Sequence, residues 1–200
     1  MINLDFVRQP PRPPILEQGD IVLRAAQLTD YQAWAALRER SRAHLTRWEP
    51  DWLDKDAALD AFRAKLRLHD RLHRAGAALA LLVFLKSGGE MIGGVTLSDI
   101  RLHPAHSATI GYWIGEGHLR QGRGLAAVRL TLDYAFGEKR LNRVEAACQP
   151  GNIASRALLA RAGFREEGLA RDYLFINGGW RDHLLFAATA RDFCGAPAAI

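Results

Sequence analysis

Arg120-Gln121-Gly122-Arg123-Gly124-Leu125-Ala126 stands between a strand-like run, Ala108 to Gly115, and a helix-like run, Leu125 to Lys139. Two glycines let the backbone turn tightly and approach a ligand. The first N–H groups of the following helix lack intrahelical partners and carry the positive end of its dipole. Such a turn is a phosphate pocket. Arg120 and Arg123 flank it and add charge-assisted hydrogen bonds toward a polyanion, so a pyrophosphate-bearing cofactor is expected. Gly122-Arg123-Gly124-Leu125-Ala126-Ala127 also satisfies the loose dinucleotide pattern. However, Glu116 to Gln121 separate it from the strand, and no regular series of βα units follows. A Walker loop fails because no Gly-Lys-Ser/Thr follows the glycines.

The chain has 200 residues, 48% hydrophobic and 24% charged, which suits one soluble α/β domain. The formal charge of +5 is carried almost wholly by arginine, since lysine occurs only at Lys55, Lys65, Lys86 and Lys139. That excess suits anionic cofactors or an acidic partner, but no basic run marks a nucleic-acid site. Cys148 and Cys194 lack metal-ligand spacing, so no metal site is expected, and reduced, cytoplasmic thiols are the default. No charged-then-apolar leader is seen, and the longest apolar run, Ala77 to Leu85, is far below the ~20 residues of a membrane span.

Pro10, Pro11, Pro13 and Pro14 make residues 1–16 read as an extended arm ahead of a domain over 17–193, with a tail at 194–200. Ile21 to Arg24 reads as a strand. A helix follows from Tyr31 to about His44, and a second, opened by Asp54 or Asp56, ends at Gly76. Ala78 to Leu85 and Met91 to Leu97 form a hairpin, and Thr109 to Ile114 is the next strand. After the glycine turn and its helix come a strand from Arg143 to Gln149 and a helix from Asn152 to Ala162. A closing hairpin, Leu169 to Ile176 and Trp180 to Ala188, turns at Asn177-Gly178-Gly179. This order predicts an α/β (α+β) fold, a mixed, mostly antiparallel sheet with helices on both faces.

The Gln121-Gly122-Arg123-Gly124-Leu125-Ala126 turn at the head of the third helix, then Asn152-Ile153-Ala154-Ser155 and Gly163-Phe164, resemble the motifs of the GNAT N-acetyltransferases in their order. Phe164-Arg165-Glu166-Glu167-Gly168, Asp172-Tyr173-Leu174 and Gly179-Trp180-Arg181-Asp182-His183 are similar to the closing hairpin of the RimJ/RimL branch, the ribosomal-protein alanine N-acetyltransferases. Trp48-Glu49-Pro50 fits the RimJ side. The resemblance covers about residues 17–193.

The resemblance implies acetyl-CoA as co-substrate, bound through Arg120, Gln121, Gly122, Arg123, Gly124, Leu125 and Ala126, with Asn152 on the pantetheine arm. Main-chain groups near Ile114 would polarise the thioester carbonyl. The tyrosine that many relatives use as acid is replaced here by Leu159, which shifts that role to Ser155, and Glu167 is the matching carboxylate for the ammonium proton. Trp48, Glu49 and Tyr173 would border the acceptor; His183 is expected to serve the hairpin's structure. An α-amine has a pKa of about 7.7–8.0 against about 10.4 for lysine, so it is unprotonated several-hundredfold more often near neutrality. That favours a protein N-terminus, most plausibly of a ribosomal protein, as partner of a monomer or dimer. A small-molecule amine acceptor and a non-catalytic CoA-binding module are the alternatives.

Overall fold

A computed structural model describes residues 12–50, 52 and 57–195. Its eight strands are β1 (Leu16–Gln18), β2 (Ile21–Arg24), β3 (Leu79–Leu85), β4 (Met91–Arg101), β5 (Ser107–Ile114), β6 (Arg143–Cys148), β7 (Arg165–Ile176) and β8 (Gly179–Thr189). They form one sheet in the order β1-β2-β3-β4-β5-β6-β8-β7. The helices are α1 (Tyr31–Arg40), α2 (Arg42–Leu45), α3 (Leu59–Arg74), α4 (Arg123–Phe136), α5 (Ile153–Ala162) and α6 (Ala190–Gly195).

All neighbouring strands are antiparallel except β5 and β6, which α4 joins as the crossover a parallel pair requires. That pairing is short: Ser107, Ala108 and Thr109 face Arg143, Val144 and Glu145, and no pairing continues beyond. The sheet therefore parts between Ile110–Ile114 and Ala146–Cys148, and this gap positions the site.

Helices cover both faces. On one, α4 and α5 bury Val128, Leu132, Ala135 and Leu159 against Ile110, Val144, Ala146 and Phe186. On the other, Trp34 and Leu37 of α1 and Phe62 of α3 pack on Leu82, Phe84 and Met91. β3 is apolar along its length because both of its faces are covered.

Several expectations shift. The first helix is interrupted at Ser41, which sits outside helical geometry at φ −99° and ψ 6°. The Ser41 side chain is buried, and its Oγ accepts the Glu116 N–H at 3.0 Å, tying α1 to the turn after β5. Leu16, assigned to the arm, opens β1 and pairs with Leu23. β4 extends to Arg101, β7 begins at Arg165, and α6 runs into the expected tail. Asp54 and Asp56 lie outside the described residues; α3 begins after Ala58. The closing turn has φ of 50° at Asn177 and 70° at Gly178, the pair of positive values that a two-residue turn needs to match strand twist.

Candidate active site

The parted strands open onto a cavity of about 270 Å³ that β5, β6, β8, α5 and the α2 segment line together. Tyr112 and Cys148 belong to the α4/α5 side, so they place one wall. His44, Trp48 and Glu49 enter from the segment that packs on the other face. The cavity therefore runs through the sheet.

On the α5 wall, Asn152 caps the helix: its Oδ1 accepts the Ser155 N–H at 3.0 Å. The cap fixes Ser155, whose Oγ lies 2.8 Å from the hydroxyl of Tyr112. Either hydroxyl can donate, so the pair holds two protons and offers one outward. Burial pushes the Tyr112 phenol up to about 12, although its bond to Ser155 works the other way. The phenol is thus fully protonated at neutral pH. Burial likewise raises the Cys148 thiol against the pull of Ser155, which makes it a thiol and not a thiolate nucleophile.

At the mouth, Gly122 precedes α4 at φ +75°, the left-handed region in which glycine is strain-free, and nothing crowds its missing side chain. No side chain caps α4, and its first internal bond runs from the Ala126 N–H to the Gly122 carbonyl at 3.0 Å. The N–H groups of Arg123, Gly124 and Leu125 precede that bond and form the anion cradle of a helix start. A Cβ at Gly124 would stand 3.1 Å from Leu158 and 3.2 Å from Ile114, so this glycine lets α4 close against β5 and α5. Arg123 is already engaged, with Nε on Asp20 at 3.2 Å, whereas Arg120 lies exposed. None of Arg120 to Ala126 lines the cavity itself; Ile114 and Asn152 do. The Gly115 N–H is bonded to the Ile92 carbonyl at 2.9 Å.

The cavity also holds a buried donor. Gln149 lines it, and its Nε2 is buried with no hydrogen-bond partner among the described residues. An amide carbonyl of a ligand fits such a donor, and the start of α4 suits an anion.

The profile of the acetyltransferase (GNAT) domain family matches residues 20–165. The chain belongs to the GNAT acetyltransferases. Among its relatives, the [ribosomal protein uS5]-alanine N-acetyltransferase of Escherichia coli is 34% identical over 171 residues, 84% of each chain. RimJ of Mycobacterium smegmatis, solved in complex with CoA-disulfide, superposes with a TM-score of 0.84 at 35% identity, covering 91% of this chain and 88% of that one. The ribosomal-protein-S5-alanine acetyltransferase of Vibrio fischeri gives 0.83 at 31% identity, over 92% and 100%. This GNAT enzyme is an N-acetyltransferase related to those that modify ribosomal proteins.

Within the GNAT frame, the structure brings Ser155, Asn152, Ile114, Trp48 and Glu49 to one cavity. It does not bring Glu167 there. Arg143 holds both Glu167 oxygens, one at 2.8 Å, and this bonding keeps the carboxylate below its usual range. Glu167 thus sits in a surface ion pair with Arg143 and not on the cavity lining. Glu49 is also occupied: Arg38 donates to both oxygens, at 2.7 and 3.3 Å, and Trp52 Nε1 donates at 2.9 Å. Arg38 in turn lies 3.8 Å from the Trp52 ring centre. Tyr173 stands beside the cavity, its ring 5.5 Å from that of His183.

Sequence reading gave His183 only a structural place in the hairpin and assigned no catalytic role to Tyr112, Arg38 or Gln149. Tyr112 and His183 carried the residue types for proton transfer, but the partner of Tyr112, Ser155, lies 43 residues away, and the bond from His183 to the Arg181 carbonyl depends on the folded strand. Nothing near Arg38 in sequence signals its stack with Trp52.

Proposed function

We propose that this acetyltransferase moves the acetyl group of acetyl-CoA to the α-amino group of a protein N-terminus, that of a ribosomal protein above all. The observation that carries this reading is an exposed apolar strip on the closing hairpin beside the cavity. Tyr173, Leu174, Phe175 and Trp180 leave 43–62% of their surface in solvent, and Leu174 also lines the cavity. An exposed patch of this kind marks a surface for a macromolecular partner. Identity to uS5-alanine N-acetyltransferase over most of both chains supports the same acceptor.

In this reading, the start of α4 from Gly122 to Ala126 holds the diphosphate, with Arg120 and Gln121 at its rim and Arg123 giving up Asp20. Asn152 and Gln149 take the pantetheine amides. When bound, acetyl-CoA supplies an acyl carbon activated by its sulfur. The Tyr112–Ser155 pair places a proton where that sulfur departs, Ser155 being the donor on α5. Trp48, Glu49 and Tyr173 border the entry of the amine. An α-amine needs little help to lose its proton near neutrality, which suits a cavity without a free carboxylate.

Isotopic acetyl-CoA offered with ribosomal proteins and a panel of small amines tests the proposal. Mass spectrometry is expected to find the label on an N-terminal α-nitrogen. Label confined to small amines or to lysine side chains overturns it.

A further inference from the structure

We propose that His183 takes the proton from the acceptor's ammonium, so that the two proton transfers of the reaction are divided between opposite faces of the sheet. This rests on the acetyl-transfer activity and does not require a protein acceptor.

In β8, Leu184 pairs with Cys148 and packs with the α4/α5 core. Side chains alternate along a strand, so His183 projects to the other face, the one from which Trp48 and Glu49 enter. It is 3% exposed and lines the same cavity as Ser155. Its Nδ1 lies 3.0 Å from the carbonyl oxygen of Arg181. A carbonyl oxygen only accepts, so Nδ1 carries the hydrogen of the neutral ring, and Nε2 is left with a lone pair. The fold thus selects the tautomer that can receive a proton at Nε2.

The other groups around the imidazole do not offer this. Glu49 is occupied by Arg38 and Trp52. Burial keeps the Tyr112 phenol and the Cys148 thiol protonated. Tyr173 of β7 packs against the ring, tilted by 56°. On the same strand, Arg181 binds the carbonyls of Ile176 and Asn177, and Asp182 accepts the Asp172 N–H. His44 of α2 is the other imidazole that lines the cavity.

The protons balance as follows. The ammonium gives one proton to Nε2, and the imidazolium passes it to solvent. The free amine nitrogen bonds to the thioester carbon, the carbon–sulfur bond breaks, and the thiolate takes a proton from the Tyr112–Ser155 pair. The second nitrogen-bound proton leaves through solvent and restores that pair. One amide, one thiol and one released proton result.

His183→Asn retains an N–H for the Arg181 carbonyl and lacks a basic nitrogen. With whichever amine of the panel the wild type acetylates, His183→Asn is expected to lower kcat about a hundredfold at neutral pH. The deficit should shrink as pH rises toward the amine's own pKa. It should also shrink for an aminooxy or hydrazino analogue, whose nitrogen is already unprotonated. His69→Gln, on α3 and outside the cavity, should leave the pH profile in place. Nitrogen NMR of the wild-type imidazole should show Nδ1 protonated and Nε2 bare, a readout independent of turnover and of variant folding. Equal rates for folded His183→Asn and wild type, a deficit that is the same for every nucleophile, or the opposite tautomer overturns the proposal. Failure of the ribosomal acceptor in the wild type is a separate result, which bears only on the proposed function.

Discussion

The hydroxyl of Tyr112 lies 2.8 Å from that of Ser155, 43 residues away in the chain, on the wall that faces α5. The two oxygens share one hydrogen bond, so removing either changes the protonation geometry of the other. Ser155→Ala is expected to reduce kcat by roughly ten- to a thousandfold with little change in CoA affinity, and Tyr112→Phe should do likewise. Because they act as a unit, the double variant should lose little beyond the worse single one. Steady-state kinetics of the four proteins check this, and additive losses would separate the roles.

Arg38 pairs with Glu49 and stacks on Trp52, which fixes the cavity wall at Glu49. Arg38→Gln leaves the Glu49 carboxylate short of its charged partner, so that wall should loosen. The expected outcome is a higher KM for the acceptor with unchanged CoA binding, measured by kinetics and calorimetry. A change confined to CoA binding would place Arg38 elsewhere in the mechanism.

Trp180 is 62% exposed and meets Phe175 edge-on at 5.8 Å. If this hairpin strip holds a protein acceptor, Phe175→Ser with Trp180→Ser should raise KM for it by roughly tenfold, about 1.4 kcal/mol. Turnover of a small amine should not change. Equal effects on both acceptors would assign the strip to folding alone.

Asp30 ties β2 to α1: Arg24 binds both its oxygens, at 2.7 and 2.8 Å, and the Gln27 N–H adds a third bond at 2.7 Å. Burial raises its pKa, but the hydrogen bonds from Arg24 and Gln27 outweigh it and the net direction is down. A carboxylate with a depressed folded pKa stabilises fully above its unfolded value, about 3.9, and loses that contribution as pH falls through the folded value. Asp30→Asn should therefore cost roughly 2 kcal/mol at neutral pH, and the gap to wild type should close in acid. Denaturant midpoints across that range test the sign.

The sheet, its hairpins and the glycine turn were legible because local patterns fix them: β-rich runs between glycines, a helix after Gly122, an Asn177-Gly178 turn. What was missed depends on tertiary partners. β1 is three residues long beside prolines and exists only by pairing with β2. Ser41 breaks the first helix, and its Oγ binds the Glu116 N–H across 75 positions. Of the site, Ser155 and Asn152 could be read because the helix cap and its motif are contiguous. Glu167 lies off the cavity lining, paired with Arg143 of a different strand, and His183 was read as structural because only the bond to the Arg181 carbonyl reveals its tautomer.

Calorimetric titration of coenzyme A into the wild type and into Gly124→Glu tests the central claim most directly. The start of α4 is held to grip the diphosphate, with Gly124 seated between Leu158 and Ile114. The wild type should bind, and the variant, by bulk and like charge at the cradle, should lose at least ~2 kcal/mol of affinity while its circular dichroism stays native. Undiminished coenzyme A binding by the folded variant, or a wild type that binds a nicotinamide nucleotide and not coenzyme A, would contradict the account.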